Sequence, residues 1–194
     1  IAVRQPLAMT LPSTPLTLTS LAGCPQKWAY QEGIGCALLR KPELVHDLVR
    51  TTKARLGWNF PVSVKIRVDD DKRCVFSYQT RVPPSGRGAD STRNSRTNEL
   101  VTSAVAAGAD FISVHGRTRH QSSEAHPVDP EAIAFAASCA KGVVPIVANG
   151  DVFTREEGEN LRRQTGVQGV MSARGLLANP VRLRLNSLDC DRRG

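Results

Sequence analysis

The sequence predicts an α/β fold built on a parallel sheet. Four short β-branched runs, residues 61–68, 109–116, 143–150 and 167–175, alternate with helical patterns at 41–56, 96–108, 129–142 and 154–166. A strand that reaches the next strand through a helix returns parallel to the first, so alternation of this kind implies a parallel sheet flanked by helices. The third observation is size: 194 residues, 40% of them hydrophobic, suit one core-forming domain and are too few for two large ones. Open doubly wound sheets and barrels share this alternation. In both, ligands gather at the carboxyl ends of the strands.

Residues 1–21, "IAVRQPLAMTLPSTPLTLTSL", form an atypical segment with three prolines and no clear period, and "LTLTSLAG" within reach of its end is a candidate strand. It leads into "AGCPQKWAYQEGIGCALLRKP", residues 22–42, where two cysteines, three glycines and two prolines precede a helical stretch. Residues 41–56 make a helix with Pro42 in its first turn and Leu44, Val45, Leu48 and Val49 as its expected apolar side. "PVSVKIRV" is the next strand. Residues 73–95, rich in Ser, Arg, Pro and Gly, interrupt the join to the helix at 96–108 and read as a long loop or disordered insert. "ADFISVHG" is followed by a helix capped at Asp129, and "VVPIVANG" by one capped at Thr154; all three later helical patterns close on glycine. "VQGVMSARG" is the last strand, and 181–194 begins like a helix and ends as a charged tail.

Charge and cysteine usage narrow the function classes. A net charge of +8 and a pI near 9.7, from 26 basic against 18 acidic residues, suit a polyanionic partner. Five irregularly spaced cysteines without a CxxC pair point away from a disulfide framework and from structural zinc, and fit a reducing, intracellular compartment, cytoplasm or nucleus. No apolar run approaches the roughly 20 residues that span a bilayer. His46, His120 and His126 show no ligand spacing, so no metal is assigned.

The strand ends carry the chemistry. They read Lys65 with Arg67, His115 with Gly116 and Arg117, Asn149 with Gly150 and Asp151, and Ala173 with Arg174 and Gly175. A strand-end lysine or histidine among apolar neighbours needs a partner, supplied by the protein or by a ligand. "ANGD" and "ARGLLANP" combine small residues, which permit close backbone approach, with a cation for phosphate; the alternatives are an ordinary turn and a solvated arginine. Cys24 lies between Gly23, which permits an unusual backbone angle, and Pro25, which restricts the cysteine toward extended conformations, so its thiol is expected on a rigid loop. Such a thiol serves as nucleophile or as general acid. Cys36 reads as a buried residue at a helix start.

Together "GCPQKWAYQEGIGCALLRKPELV", "VSVKIR", "ISVHGRT", "VPIVANGDV" and "GVMSARGLLANP" resemble the tRNA-dihydrouridine synthases, nearest the eukaryotic branch acting on uridines 20a and 20b. The resemblance covers residues 22–72 and 96–180, and five motifs in the family's order make it specific. It implies a TIM (β/α)8 barrel of which about five βα units are present, carrying flavin mononucleotide (FMN) and reducing the C5=C6 bond of a tRNA uridine with electrons from NADPH or NADH. By that similarity Cys24 protonates C5, Lys65 and His115 hold the flavin ring, and Asn149, Gly150, Asp151, Ala173 and Arg174 match the flavin phosphate loops. Arg67 and Arg117 are candidates for the uridine or its phosphates. The rivals are another FMN-dependent barrel oxidoreductase, which would not be expected to carry this Gly-Cys-Pro segment with Val-His-Gly-Arg-Thr, and a non-catalytic RNA-binding remnant.

The departures from the family are equally specific. Its first strand and two further βα units have no counterpart before the Gly-Cys-Pro motif, and the Asn of its Asn-x-Gly-Cys-Pro pattern is Leu21. Residues 73–95 are unmatched, and so is the helical tRNA-binding domain expected after residue 180. A retained intron and misjoined terminal exons would produce this pattern, and five strands do not close an eight-stranded barrel.

Overall fold

A computed structural model describes residues 17–69 and 95–183. Five parallel strands, β1 (Leu18–Ala22), β2 (Val62–Arg67), β3 (Phe111–His115), β4 (Ile146–Asn149) and β5 (Gly169–Met171), lie side by side in chain order. Helices α1 (Lys27–Gln31) and α2 (Pro42–Leu56), with a 3-10 turn at Gly35–Arg40 between them, connect β1 to β2. The later helices α3 (Arg96–Ala106), α4 (Pro130–Cys139), α5 (Arg155–Thr165) and α6 (Arg174–Ala178) each precede or follow one strand. Sequential parallel order with helical crossovers is the architecture of a TIM-barrel segment. The partial barrel expected from the sequence is therefore present as five βα units.

Register divides the sheet into two chemistries. Ala22, Ile66, Val114, Ala148 and Val170 occupy one row across all five strands, and each is at most 3% exposed. The row packs under the helices; burying each larger aliphatic side chain there contributes about 1.5–3 kcal/mol. Because successive side chains point to opposite faces, the intervening positions face the other way. There polar residues gather on the central strands: Lys65 aligns with Ser113, and Arg67 with His115 and Asn149, while Val147, Gly169 and Met171 continue the two rows onto β4 and β5. Parallel strands covered on both faces read as continuous apolar runs, so "VSVKIR" marks one face kept for something other than core.

Local signals set most boundaries. Asp129 Oδ1 accepts from the N–H groups of Glu131 and Ala132, starting α4. Thr154 and Glu157 form a reciprocal capping box on α5, which ends at Gly166 in the left-handed region, φ 68°. Helix α2 departs from expectation. Its buried stripe is Val45, Val49 and Lys53, one residue per turn, whereas Leu44 and Leu48 are 42% and 49% exposed. A lysine completes the stripe because the strand ends beneath it supply acceptors. Of the segments set apart in the sequence, residues 1–16, 70–94 and 184–194 lie outside the described residues; Leu18–Leu21 fall in β1, Ser95 precedes α3, and Pro180–Leu183 form a 3-10 turn.

Candidate active site at the carboxyl ends of the strands

Cys24 follows β1 and is half-buried. Gly23 is not among the glycines at positive φ, so the backbone freedom that a glycine permits is not used here. What the position requires is close approach: a Cβ there would stand 3.2 Å from the Ile66 carbonyl carbon and 3.4 Å from Arg67 N, in the backbone of β2. Cys24 is then braced from the other side. Cys36 N–H donates to the Cys24 carbonyl at 2.9 Å, and Gly35, at φ +61°, lies so near that a Cβ would come within 2.8 Å of Cys24 Cβ. Cys36 itself is 2% exposed, and burial pushes its thiol up to about 11 against the opposing pull of Arg67. It stays protonated.

Next to this thiol stands a group of cations. Lys65 is half-buried, and no described residue accepts a hydrogen bond from its Nζ; burial, and then the neighbouring Arg67, lower its pKa. Arg67 Nη1 donates to the carbonyls of Thr118 at 2.7 Å and Gln121 at 3.3 Å, tying β2 to the loop after β3. His115 is pushed down to about 3 by burial and by the charges of Arg67, Lys65 and Arg117. Its ring is neutral at physiological pH. Arg117 Nη1 lies 3.4 Å from His115 Nε2, and a nitrogen that accepts from a guanidinium leaves the ring proton on Nδ1.

Arg117 is 1% exposed and committed to the protein: Nε donates to the His126 carbonyl at 2.7 Å, and Nη2 pairs with Asp151 Oδ2. Asp151 also accepts from Val128 N–H at 3.0 Å and from Arg174 Nη2 at 3.0 Å. Burial would raise its pKa, but these hydrogen bonds and the two arginine charges outweigh burial and hold the carboxyl low. Beside it, Asn149 Nδ2 donates to the Met171 carbonyl at 2.9 Å, joining β4 to β5. Gly150 has φ +121°, and a Cβ would collide with Val128 Cγ2 and come within 2.9 Å of the His115 ring. Only glycine fits.

Between the β4 and β5 loops lies a cavity of about 70 Å³, lined by Asn149, Gly150, Ser172, Ala173, Arg174 and Gly175 among others. That is several times the space one water needs. Arg174 is half-exposed, with its guanidinium 5.4 Å above the Phe153 ring, and leaves donors free of Asp151. Small residues, backbone and one accessible cation suit an anion such as a phosphate. A larger hollow of about 640 Å³ lies between α2 and α3, lined by acidic Glu43, Asp47 and Glu99; it shares no residue with the strand ends.

The structure thus gathers Lys65, Arg67, His115 and Arg117, sets Asn149, Gly150, Asp151, Ala173 and Arg174 around one cavity, and braces Cys24 on the adjoining strand end. Sequence reasoning missed Phe153 beneath Arg174, the His126 carbonyl that anchors Arg117, and Arg119, whose guanidinium lies over Tyr30. Loop residues carry no periodicity that would have flagged them.

Comparison with known proteins identifies the family. A family model described as Dihydrouridine synthase (Dus) matches residues 22–193. The tRNA-dihydrouridine(20a/20b) synthase [NAD(P)+] of Schizosaccharomyces pombe is 43% identical over 158 residues, covering 81% of this chain and 41% of its own. A Mus musculus tRNA-dihydrouridine(20a/20b) synthase [NAD(P)+]-like protein is 43% identical over 162 residues, with the same coverage. The tRNA-dihydrouridine(16) synthase of Yersinia pestis is 29% identical over 158 residues, covering 81% of this chain and 43% of its own. The chain spans about two fifths of the length of these curated relatives.

Proposed function

Because the chain belongs to the dihydrouridine synthase family, we propose that its strand ends form part of the active centre of a flavin-dependent tRNA-dihydrouridine synthase, an intracellular enzyme that reduces uridine in the tRNA D-loop to 5,6-dihydrouridine. Electrons come from NADPH or NADH, in keeping with the NAD(P)+ in the relatives' names. The observation that carries the reading is a pairing at neighbouring strand ends: a braced, half-buried thiol and a half-buried lysine for which no described residue supplies an acceptor.

The residues present fit FMN. A glycine at φ +121° that no side chain could replace, and a cavity with one accessible arginine, make a cradle for its phosphate at Asn149, Gly150, Asp151, Ala173 and Arg174. Lys65 Nζ and the neutral His115 ring would face the isoalloxazine. When bound, the flavin supplies the hydride for uridine C6. Cys24 Sγ holds the proton delivered to C5, and solvent restores it, so the base gains two electrons and two hydrogens. Arg67 orients the uracil, while Arg117, fully enclosed, serves by fixing Asp151 and the loop to His126. The net charge of +8 favours tRNA through counterion release.

The test is flavin titration by visible absorbance, beside a tRNA reduction assay, on the chain and on Cys24→Ala. We expect both to bind FMN and the variant to lose roughly 10²–10⁴-fold in uridine reduction. Absence of flavin binding, or full activity without the thiol, would sink the reading.

A further inference from the structure

Tyr30 and Arg119 directly join the loops on either side of the site. Arg119 Cζ stands 3.6 Å from the centroid of the Tyr30 ring, whereas Arg50 over Trp58 and Arg174 over Phe153 stand at 5.2 and 5.4 Å. Both partners are half-buried, which strengthens such a contact relative to one in open solvent. Tyr30 lies on α1, in the segment that opens with Cys24, and Arg119 lies in the loop after His115.

Each loop is independently stiff. On Tyr30's side, Ile34 N–H donates to the Ala29 carbonyl at 2.9 Å and Cys36 N–H to the Cys24 carbonyl at 2.9 Å, so the segment folds back onto Cys24. On Arg119's side, Arg67 holds the Thr118 and Gln121 carbonyls, and Thr118 N–H donates to Gln121 Oε1 at 2.9 Å. Two stiff loops joined face to face transmit position from one to the other. A general acid must lie within about 3 Å of the atom it protonates, and a misplacement of about 1 Å can cost roughly a hundredfold.

We propose that the Tyr30–Arg119 stack is a positioning device, holding the Cys24 segment at a set distance from the loop that follows His115. The two residues act through Cys24. The inference rests on Cys24 as proton donor for its consequence in catalysis, but its geometric content can be read without catalysis.

The experiment follows alkylation of Cys24 by iodoacetamide on the folded chain, assigned by peptide mass, in Tyr30→Leu, Arg119→Met, their double variant and Tyr30→Phe. We expect the first two to raise the rate by about fivefold, the scale of a shielded cation–π contact, and the double variant to go no further than either single one. Tyr30→Phe keeps the ring face and should stay within about twofold of the parent. In tRNA reduction by the flavin-loaded chain, kcat should fall in the first two with the KM for tRNA unchanged, a split that simple destabilisation does not produce. Unchanged alkylation in Tyr30→Leu and Arg119→Met, or a Tyr30→Phe rate as high as that of Tyr30→Leu, overturns the proposal. Should Tyr30→Leu fail to fold, Arg119→Met against Arg119→Lys gives the same decision. Stack-dependent alkylation in a chain that never reduces uridine would keep the positioning and defeat the synthase reading.

Discussion

Two lysines at opposite ends of the sheet show how differently this molecule treats a cation. Lys53, 2% exposed on α2, donates to the carbonyls of Trp58 at 3.1 Å and Phe60 at 2.9 Å and to Asp110 Oδ2 at 2.6 Å. Asp110 in turn accepts from Val62 N–H, so the amino ends of β2 and β3 are closed by a complete network. Lys65, at the carboxyl end, has no such partner among the described residues and stands among Arg67, His115 and Arg117. Three donors are satisfied on Lys53, whereas no described residue accepts from Lys65. The closed network stabilises the sheet, and the carboxyl ends are where parallel α/β folds gather ligands.

Burial of His115, reinforced by the cations crowded around it, has the largest expected effect, a pH dependence of stability. Its pKa lies near 3 in the folded chain against an ordinary value of 6.5, so the folded state resists protonation that the unfolded state accepts. Stability is therefore fully present above about pH 6.5, and is lost as pH falls toward the folded value, by roughly 3 kcal/mol near pH 4. Asp151, also lowered, pulls in the same direction at more acidic pH. Urea unfolding between about pH 7 and 4 should show the loss, and His115→Gln should flatten it over that window. An equally steep profile in the variant would mean that the pH dependence does not arise at this ring.

Replacing each lysine by methionine sets the two ends directly against each other. Lys53→Met leaves two carbonyls and a carboxylate without their donor and should cost roughly 2–3 kcal/mol. Lys65→Met removes a cation with no acceptor among the described residues and should change stability by less than about 1 kcal/mol, in either direction. Flavin binding should respond the other way, weakened by Lys65→Met and unaffected by Lys53→Met. Equal losses of stability would break the contrast.

Much of this was legible before any coordinate. β-Branched runs, glycine ends and the Asp129 and Thr154 caps are local signals, and local chemistry decided those elements. The site's strand-end residues were legible because alternation along "VSVKIR" puts Lys65 and Arg67 on one face. The exposure of Leu44 and Leu48 was not, since the α2 stripe runs through a lysine whose acceptors lie up to 57 residues away. Nor was the junction at Asp151, where a carboxylate takes Arg117 from 34 residues upstream and Arg174 from 23 downstream. Long-range ion pairing leaves no period in a sequence.

The smallest effect on stability belongs to Arg174, and it separates a surface charge from a ligand-binding one. Its side chain is 51% exposed, and it shares Asp151 with Arg117, which keeps the carboxylate paired when Arg174 is removed. Arg174→Met should therefore alter stability by no more than about 0.5 kcal/mol. If the cavity beside it receives a phosphate, losing one charge-assisted donor should weaken FMN binding by about tenfold. Riboflavin has the same ring system without the phosphate, and its binding should not change. Equal weakening of both ligands would assign Arg174 to the ring. No change in either would reduce it to a solvated charge, leaving the small residues of the cradle to hold the anion through their backbone.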